Sequence, residues 1–307
     1  MKIEETLGNE KVKQILKKTV QNNNILHSYL FIGEEGIGKS IFAKEFAKMI
    51  LCTGEQKPCC YCKSCIELEQ NNQPDYLEIL PDGNSIKIEQ IRNMQLKVFE
   101  KPIISNKKVY VIKDAEKMTK EAQNALLKTL EEPPEYITII LIANNESSIL
   151  NTIKSRCTKI SFEPLSKDEL KEYLKRENNQ TNISDELLEI SMGSITKLKN
   201  VIQKQDMYIN IYNCIKALDK VSLLDFLEKA EFLSNLKEDS NEVLELMLGL
   251  IFKISKEKGD KKINYLHCVE IVDNVKKNLL SNSNYDMQID NMLIKLWEEV
   301  NEKSYWS

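Results

Sequence analysis

Long apolar runs are missing from this chain. The longest candidate, Val243 to Ile254, is interrupted by Glu245 and Lys253, and it falls short of the roughly 18 residues that a membrane-spanning helix needs. The opening residues, Met-Lys-Ile-Glu-Glu-Thr-Leu-Gly, hold no signal-peptide core. Both absences lead us to expect a cytoplasmic protein with no membrane contact. A strong positive charge is missing as well. Residues 1–162 carry a net charge of +2 and residues 163–307 one of −6, so neither half advertises nucleic acid by bulk charge. Glycine is scarce, with nine in 307 residues. Gly33, Gly36 and Gly38 nevertheless fall together.

Those three glycines belong to the stretch that organises the chain. Tyr29 to Ile32 reads as a short buried strand that stops at Gly33. Gly33-x-x-x-x-Gly38-Lys39-Ser40 follows, and then an amphipathic segment, Ile41 to Ile50, at helical spacing. Strand, glycine loop and helix in that order form a phosphate-binding loop. Backbone N–H groups close around phosphate oxygens, and the helix N-terminus adds partial positive charge. Lys39 is placed to reach the β- and γ-phosphates, and the Ser40 hydroxyl to ligate Mg²⁺.

Five of the eight cysteines lie within residues 52–65. In a reducing compartment such a cluster means metal or redox work rather than a disulfide framework. Cys59-x-x-Cys62-x-x-Cys65, with Cys52 upstream, offers four thiolates for a closed tetrahedral zinc site of structural type. A tight, loop-borne knuckle is expected there, with Cys60 left over; unliganded thiols or a redox pair are the alternative.

With 307 residues the chain has room for two or three domains. Up to about residue 162, strand patterns (76–80, 109–112, 136–143 and 158–162) alternate with helical ones. The strands are nearly free of charge, as in a parallel α/β sheet covered on both faces. Thr119 is the expected N-cap of a helix that Pro133-Pro134 ends. Lys107-Lys108 reads as a solvated turn, and His27 as packed or capping. From Glu163-Pro164 onward the pattern is helical: Ser166-x-x-Glu169 is a capping box, Gly193 closes a helix begun at Ser184, and long stripes fill the remainder. The division expected is an α/β domain over 1–162 with a zinc-binding insertion at about 52–65, a small helical domain over 163–205, and a helical domain over 206–307.

A hydrolysing phosphate-loop enzyme needs a second strand ending in Asp-Glu, the Asp to help hold Mg²⁺ and the Glu to orient water. Here the strand 109–112 ends in Lys113-Asp114. The loop is fit to hold nucleotide, but this strand exit is not fit to cleave it. Ser155-Arg156-Cys157 is the other sharp feature, since an Arg at the domain's edge can complete a neighbour's site in trans.

His27-Ser28-Tyr29-Leu30-Phe31-x-Gly33, the phosphate loop, the cysteines, Asn124-Ala125-Leu126-Leu127-Lys128-Thr129-Leu130-Glu131-Glu132-Pro133-Pro134 and Ser155-Arg156-Cys157 occur in one order over roughly residues 1–200. The set resembles the bacterial DNA polymerase III clamp-loader subunits of the AAA+ class. Two departures, Lys113-Asp114 and Thr196 where a sensor Arg is usual, favour the delta prime branch over the ATP-hydrolysing tau/gamma branch. So does the short length. A third departure is Gln73 in place of the usual His before Pro-Asp.

The resemblance implies an AAA+ domain, a helical lid and an all-α collar. It implies ATP or ADP with Mg²⁺ bound by Gly33, Gly36, Gly38, Lys39, Ser40, Asp114 and Asn144, with little or no intrinsic hydrolysis. It further implies a wedge in a hetero-pentameric ring with tau/gamma and delta subunits, which loads the sliding clamp onto primed DNA within the polymerase III holoenzyme. Arg156 is then the arginine finger offered to a neighbouring subunit. A self-sufficient AAA+ ATPase, either a motor subunit or a helicase loader, is the competing reading. A zinc-dependent DNA-binding module is a weaker one, because the cysteine segment lacks basic and aromatic neighbours.

Overall fold

The computed structural model describes residues 3–178, 183–257, 262–281 and 283–301. The chain divides into two compact units. One runs to Ile183 and takes in Ser191–Leu198; the other holds Ser184–Ile190 and the chain from Lys199 onward.

In the first unit, helices and strands alternate as α1 (Glu10–Gln21), β1 (Ser28–Ile32), α2 (Lys39–Leu51), α3 (Lys63–Glu69), β2 (Tyr76–Ile79), α4 (Ile88–Val98), β3 (Lys108–Ile112), α5 (Lys120–Glu131), β4 (Ile137–Ala143), α6 (Asn151–Lys154), β5 (Thr158–Ser161) and α7 (Lys167–Asn178). The strands form one sheet in the order β2-β3-β4-β1-β5, with every pairing parallel. This is the expected covered α/β sheet. Strand side chains alternate between its faces. Tyr29, Phe31, Val109, Val111, Ile140 and Ile142 join one core with Phe42 and Phe46 of α2. Leu30, Tyr110, Ile112, Ile139 and Leu141 join the other with Ile91 and Met94 of α4 and Leu126 of α5. Burial on both faces is why the central strands β1, β3 and β4 carry few polar residues, whereas the edge strand β5 is largely exposed and polar. Phe31 sits 5.2 Å from Phe162 and 6.5 Å from Phe46, ring centre to ring centre. Offset contacts of this kind add to plain area burial.

The capping signals work as the sequence suggested. Thr119 Oγ1 accepts from Ala122 N at 3.2 Å. Ser166 and Glu169 exchange bonds of 2.7 and 3.2 Å. Two expectations need correction. Lys108 is no solvated turn: it opens β3, is buried, and donates to Lys97 O at 2.9 Å. A long aliphatic stem lets its ammonium reach that carbonyl from inside the sheet. His27 is exposed rather than packed, because β1 begins only at the next residue.

The second unit is helical throughout its described residues. It comprises α8 (Asp185–Ile190), the end of α9 (Ile195–Gln203), α10 (Gln205–Ala217), α11 (Leu223–Ala230), α12 (Ser240–Glu257), α13 (Lys262–Leu280) and α14 (Tyr285–Asn301). Phe226, Met247, Ile251, Tyr265, Cys268, Val272, Met292 and Leu296 are among its buried residues. Polar ties fix its loops: Trp297 Nε1 donates to Val221 O at 3.0 Å and Tyr285 Oη to Leu233 O at 2.8 Å.

One carboxylate holds a loop of the first unit. Asp75 is 2% exposed, and its oxygens accept from the backbone N–H groups of Ile103, Ile104 and Ser105 at 2.7–2.8 Å. Removing the acceptor orphans all three donors, and unsatisfied buried donors are costly. Asp75→Ala is expected to lower stability by about 2–4 kcal/mol, and Asp75→Asn by less because one oxygen remains. Urea denaturation followed by circular dichroism measures both. Equal midpoints for wild type and Asp75→Ala would show that the loop does not depend on this carboxylate.

Candidate functional site

The phosphate loop leaves the C-terminal end of β1, and Asn144 leaves the neighbouring end of β4. The chain after β1 turns toward the β2 side of the sheet, whereas the chain after β4 crosses to β5. Diverging connections open a crevice at such a point, and ligands of α/β sheets bind there. Gly36 and Gly38 hold φ of 77° and 95°, values that favour glycine. Lys39 opens α2 and is 5% exposed. Its ammonium donates to Gly33 O at 2.6 Å, Glu34 O at 2.5 Å and Asn144 Oδ1 at 3.0 Å. Burial pushes that ammonium below its ordinary pKa, against the upward pull of Glu116, Glu35, Asp114 and Glu34. Ser40 is exposed in the first turn of α2. These residues fit a nucleotide's phosphates: a helix start, two left-handed glycines and a lysine whose three bonds phosphate oxygens can take over.

Gly36 is also covered. Ile195 N donates to Gly36 O at 2.9 Å. A β-carbon built on Gly36 stands 2.3 Å from Ser194 Oγ and 2.7 Å from Thr196 Oγ1. The loop is therefore packed against the segment that carries Thr196.

At the exit of β3 the side chains divide. Lys113 turns to Glu78 of β2, with Nζ 2.7 Å from Oε2. Asp114, at φ 50°, pairs with Lys117 at 3.0 Å. Sequence reasoning stopped at these two and missed Glu116. Its Oε1 accepts from Asn144 N at 3.2 Å, while its Oε2 is buried without a hydrogen-bond partner among the described residues. No local pattern signals this, because the left-handed turn at Asp114 is what brings Glu116 back toward β4.

The sulfurs of Cys52, Cys59, Cys62 and Cys65 all lie within 4.8 Å of one another. Thiolates about 2.3 Å from a tetrahedral metal stand roughly 3.8 Å apart, so this quartet could hold one ion. Cys60 is exposed and lies outside it. The segment is less loop-like than expected: Cys62 precedes α3, and Cys65 lies in its first turn, buried. Gln73 supports α3 from below, with Nε2 2.6 Å from Ser64 Oγ. Burial pushes the Cys62 thiol up, but hydrogen bonds from Thr53 and Cys65 outweigh it and bring it down to about 5. Burial pushes the Cys52 and Cys65 thiols up. A bound metal requires all four as thiolates.

Arg156 sits at the opposite edge of the sheet from the loop. Its carbonyl accepts from Ser28 Oγ, at the start of β1, at 2.6 Å. Five strand residues, spanning roughly 13–16 Å, separate that edge from the chain's own phosphate loop. The guanidinium donates to Thr152 O and to Glu131 Oε1, each at 2.8 Å, and about a third of the side chain is exposed.

The sequence model of a family described as "DNA polymerase III, delta subunit" matches residues 8–166. DNA polymerase III subunit delta' of Bacillus subtilis is 35% identical over 192 residues, 59% of this chain and 58% of that protein. DNA polymerase III subunit gamma of Buchnera aphidicola from Acyrthosiphon pisum is 30% identical over 267 residues, 82% of this chain and 72% of that one. A gamma subunit-related protein of Thermotoga maritima, known from a crystal structure, is 21% identical with a TM-score of 0.49, over 92% of this chain and 99% of that chain.

The two loop glycines separate strain from contact. A non-glycine residue in the left-handed region costs about 1–2 kcal/mol, and at Gly38 a methyl group meets nothing within 4 Å. Gly38→Ala is therefore expected to cost about that much. Gly36→Ala should cost more, because its methyl also displaces Ser194 and Thr196. Thermal unfolding of both variants checks the order; a smaller loss for Gly36→Ala contradicts the packing described.

Proposed function

The chain belongs to the family of bacterial DNA polymerase III clamp-loader subunits, and from that premise we propose that it is the delta prime member of such a loader. In this reading it is the stationary wedge of a hetero-pentameric ring with tau/gamma and delta subunits, which places the sliding clamp on primed DNA. The chain binds ATP or ADP with Mg²⁺ through Gly33, Gly36, Gly38, Lys39 and Ser40, with Asn144 and Asp114 beside them. It does not hydrolyse nucleotide, and it lends Arg156 to a neighbouring subunit. The division into an AAA+ domain over 1–162, a lid over 163–205 and a collar over 206–307 is part of the same proposal, as is a cytoplasmic location.

The observation that carries the reading is the placement of two basic side chains on one sheet. Lys113 occupies the position where a hydrolysing subunit needs a carboxylate, and it is committed to Glu78 at 2.7 Å. Arg156 lies at the far edge from its own loop with about a third of its side chain exposed, so the γ-phosphate it can serve belongs to another chain. A guanidinium fork suits the charge that develops on a transferring phosphoryl group. The bond to Glu131 keeps that fork oriented while no partner is docked. Thr196, beside Gly36, adds no positive charge to the loop.

We assign a structural zinc to Cys52, Cys59, Cys62 and Cys65. The supporting facts are the sulfur spacing and a ligand set with no open position. Elemental analysis after dialysis is expected to give one zinc per chain. Cys62→Ser should lower that content and the thermal midpoint together. Metal-free protein of unchanged stability would sink the assignment.

The functional reading is tested by rebuilding the five-subunit complex. The isolated chain is expected to bind ADP calorimetrically but release phosphate far below ~1 s⁻¹, an ordinary enzyme rate. Arg156→Ala should leave folding, zinc and ring assembly intact and lower the clamp- and DNA-stimulated ATPase. One finger is worth up to about 10³–10⁵ at its own site, but the measured total falls by a fraction because the other sites keep theirs. Unchanged ATPase and clamp loading, with normal assembly, would reduce Arg156 to a surface residue. Turnover above ~1 s⁻¹ by the isolated chain would move it to the motor class.

A further inference from the structure

Three buried side-chain polar atoms lack a hydrogen-bond partner among the described residues: Glu45 Oε2, Glu116 Oε2 and Tyr212 Oη. Glu116 is the one beside the phosphate loop. Leaving a carboxylate oxygen buried and unpaired is unfavourable, so such an atom commonly marks a site completed by something else.

Its surroundings say what completes it. Glu116 lies in the short turn Ala115–Lys117 after β3. Its Oε1 is tied to Asn144 N at 3.2 Å, and the side chain of the same Asn144 accepts from Lys39 Nζ at 3.0 Å. One residue therefore links Glu116 to the phosphate-binding ammonium. Three other acids at this edge are engaged elsewhere, and Glu35 is exposed to solvent. Glu78 pairs with Lys113, Asp114 with Lys117, and Glu34 with Lys197 at 3.6 Å. Among the acids near Lys39, Glu116 exerts the largest charge effect on it. It also keeps an oxygen in reserve.

We propose that Glu116 is the carboxylate that receives the nucleotide's divalent cation in this chain, three positions beyond Lys113. It follows that the chain binds nucleotide as its Mg²⁺ complex and disfavours the free anion. This deepens the nucleotide-binding reading above and rests on it. The electrostatics agree with the geometry. Asp114 and Glu34 are offset by Lys117 and Lys197, but Glu116 and Glu35 act on the buried Lys39 without such a partner among the described residues, so free ADP, with about three negative charges, meets repulsion from them at short range. A divalent cation held between phosphate oxygens and Glu116 Oε2 reverses that sign. Hard oxygen donors with retained water are what Mg²⁺ prefers. One carboxylate accounts for holding the cation, and Asp114, the acid next to Lys113, is paired with Lys117, consistent with binding without turnover.

The test uses the full chain and its Glu116→Gln variant, which keeps an oxygen for the Asn144 N–H but loses the charge. ADP is titrated calorimetrically with excess Mg²⁺ and again with EDTA, and Mn²⁺ retained in the presence of ADP is followed by electron paramagnetic resonance. Wild type is expected to bind ADP at least about tenfold tighter with Mg²⁺. Glu116→Gln should lose most of that gain and its bound Mn²⁺, while metal-free ADP binding stays equal or tightens. Glu116→Gln matching wild type in Mg²⁺ dependence and Mn²⁺ retention overturns the proposal and leaves Glu116 as a support for Asn144. The underlying reading fails in a different way: wild type then binds ADP in neither condition, or Lys39→Ala binds it as well as wild type. The first of these outcomes removes both readings.

Discussion

Strand β1 is hydrogen-bonded on both sides, to β4 and to β5, and the chemistry of the first unit is placed by reference to it. A parallel strand paired on two edges and buried on two faces has no freedom of register, because a slip of one residue turns every side chain to the wrong core. The phosphate loop therefore leaves one end of β1 at a fixed height. Arg156 is held beside Ser28 at the other end. The sheet keeps apart two groups that both suit a γ-phosphate, Lys39 at one end of β1 and Arg156 at the other.

Around this frame, polar side chains do work that apolar packing cannot. Asp75 gathers three backbone donors of the 103–105 loop. Ser105 then reaches back to Leu51 O at 3.0 Å, and Gln73 holds Ser64. Leu51 and Ser64 directly precede the first and the last of the four cysteines. A string of buried, mutually satisfied hydrogen bonds thus fixes both ends of the four-sulfur cluster, and satisfied networks of this kind specify one geometry. Gln73 fills a structural place here without belonging to the sulfur quartet.

The exit of β3 shows how one lysine arranges the charges around it. A lysine at 113 finds its counter-charge in Glu78 on the neighbouring strand, away from the loop. Asp114 adopts a left-handed conformation and joins Lys117. The chain then turns so that Glu116, rather than either of its predecessors, faces Asn144 and the lysine of the loop. Surface pairs such as Lys117 with Asp114 add little to stability. Their consequence is positional, since each engages an acid and leaves Glu116 as the one at the exit of β3 with an unpaired buried oxygen.

Much was readable without coordinates, and for local reasons. Strand, glycine loop and helix over 28–51 follow from the change of hydrophobic period and from glycines that adopt the required φ without strain. Thr119 and Ser166 cap their helices through bonds three residues away. Unbroken apolar strands announced a sheet covered on both faces. Cys59, Cys62 and Cys65 declare themselves by spacing. Tertiary structure decided what depends on distant partners. Cys52 joins the sulfurs only because the chain folds back between α2 and α3, and Lys108 is buried because β3 starts beneath it. Asp75 finds its donors about thirty residues on, and Arg156 is oriented by Glu131. Glu116 acquires its place from a turn at Asp114 and a bond to Asn144, 28 residues away. Periodicity and caps are set within a turn or two of chain, whereas the charge environment of a site is set by whichever strands the sheet makes neighbours.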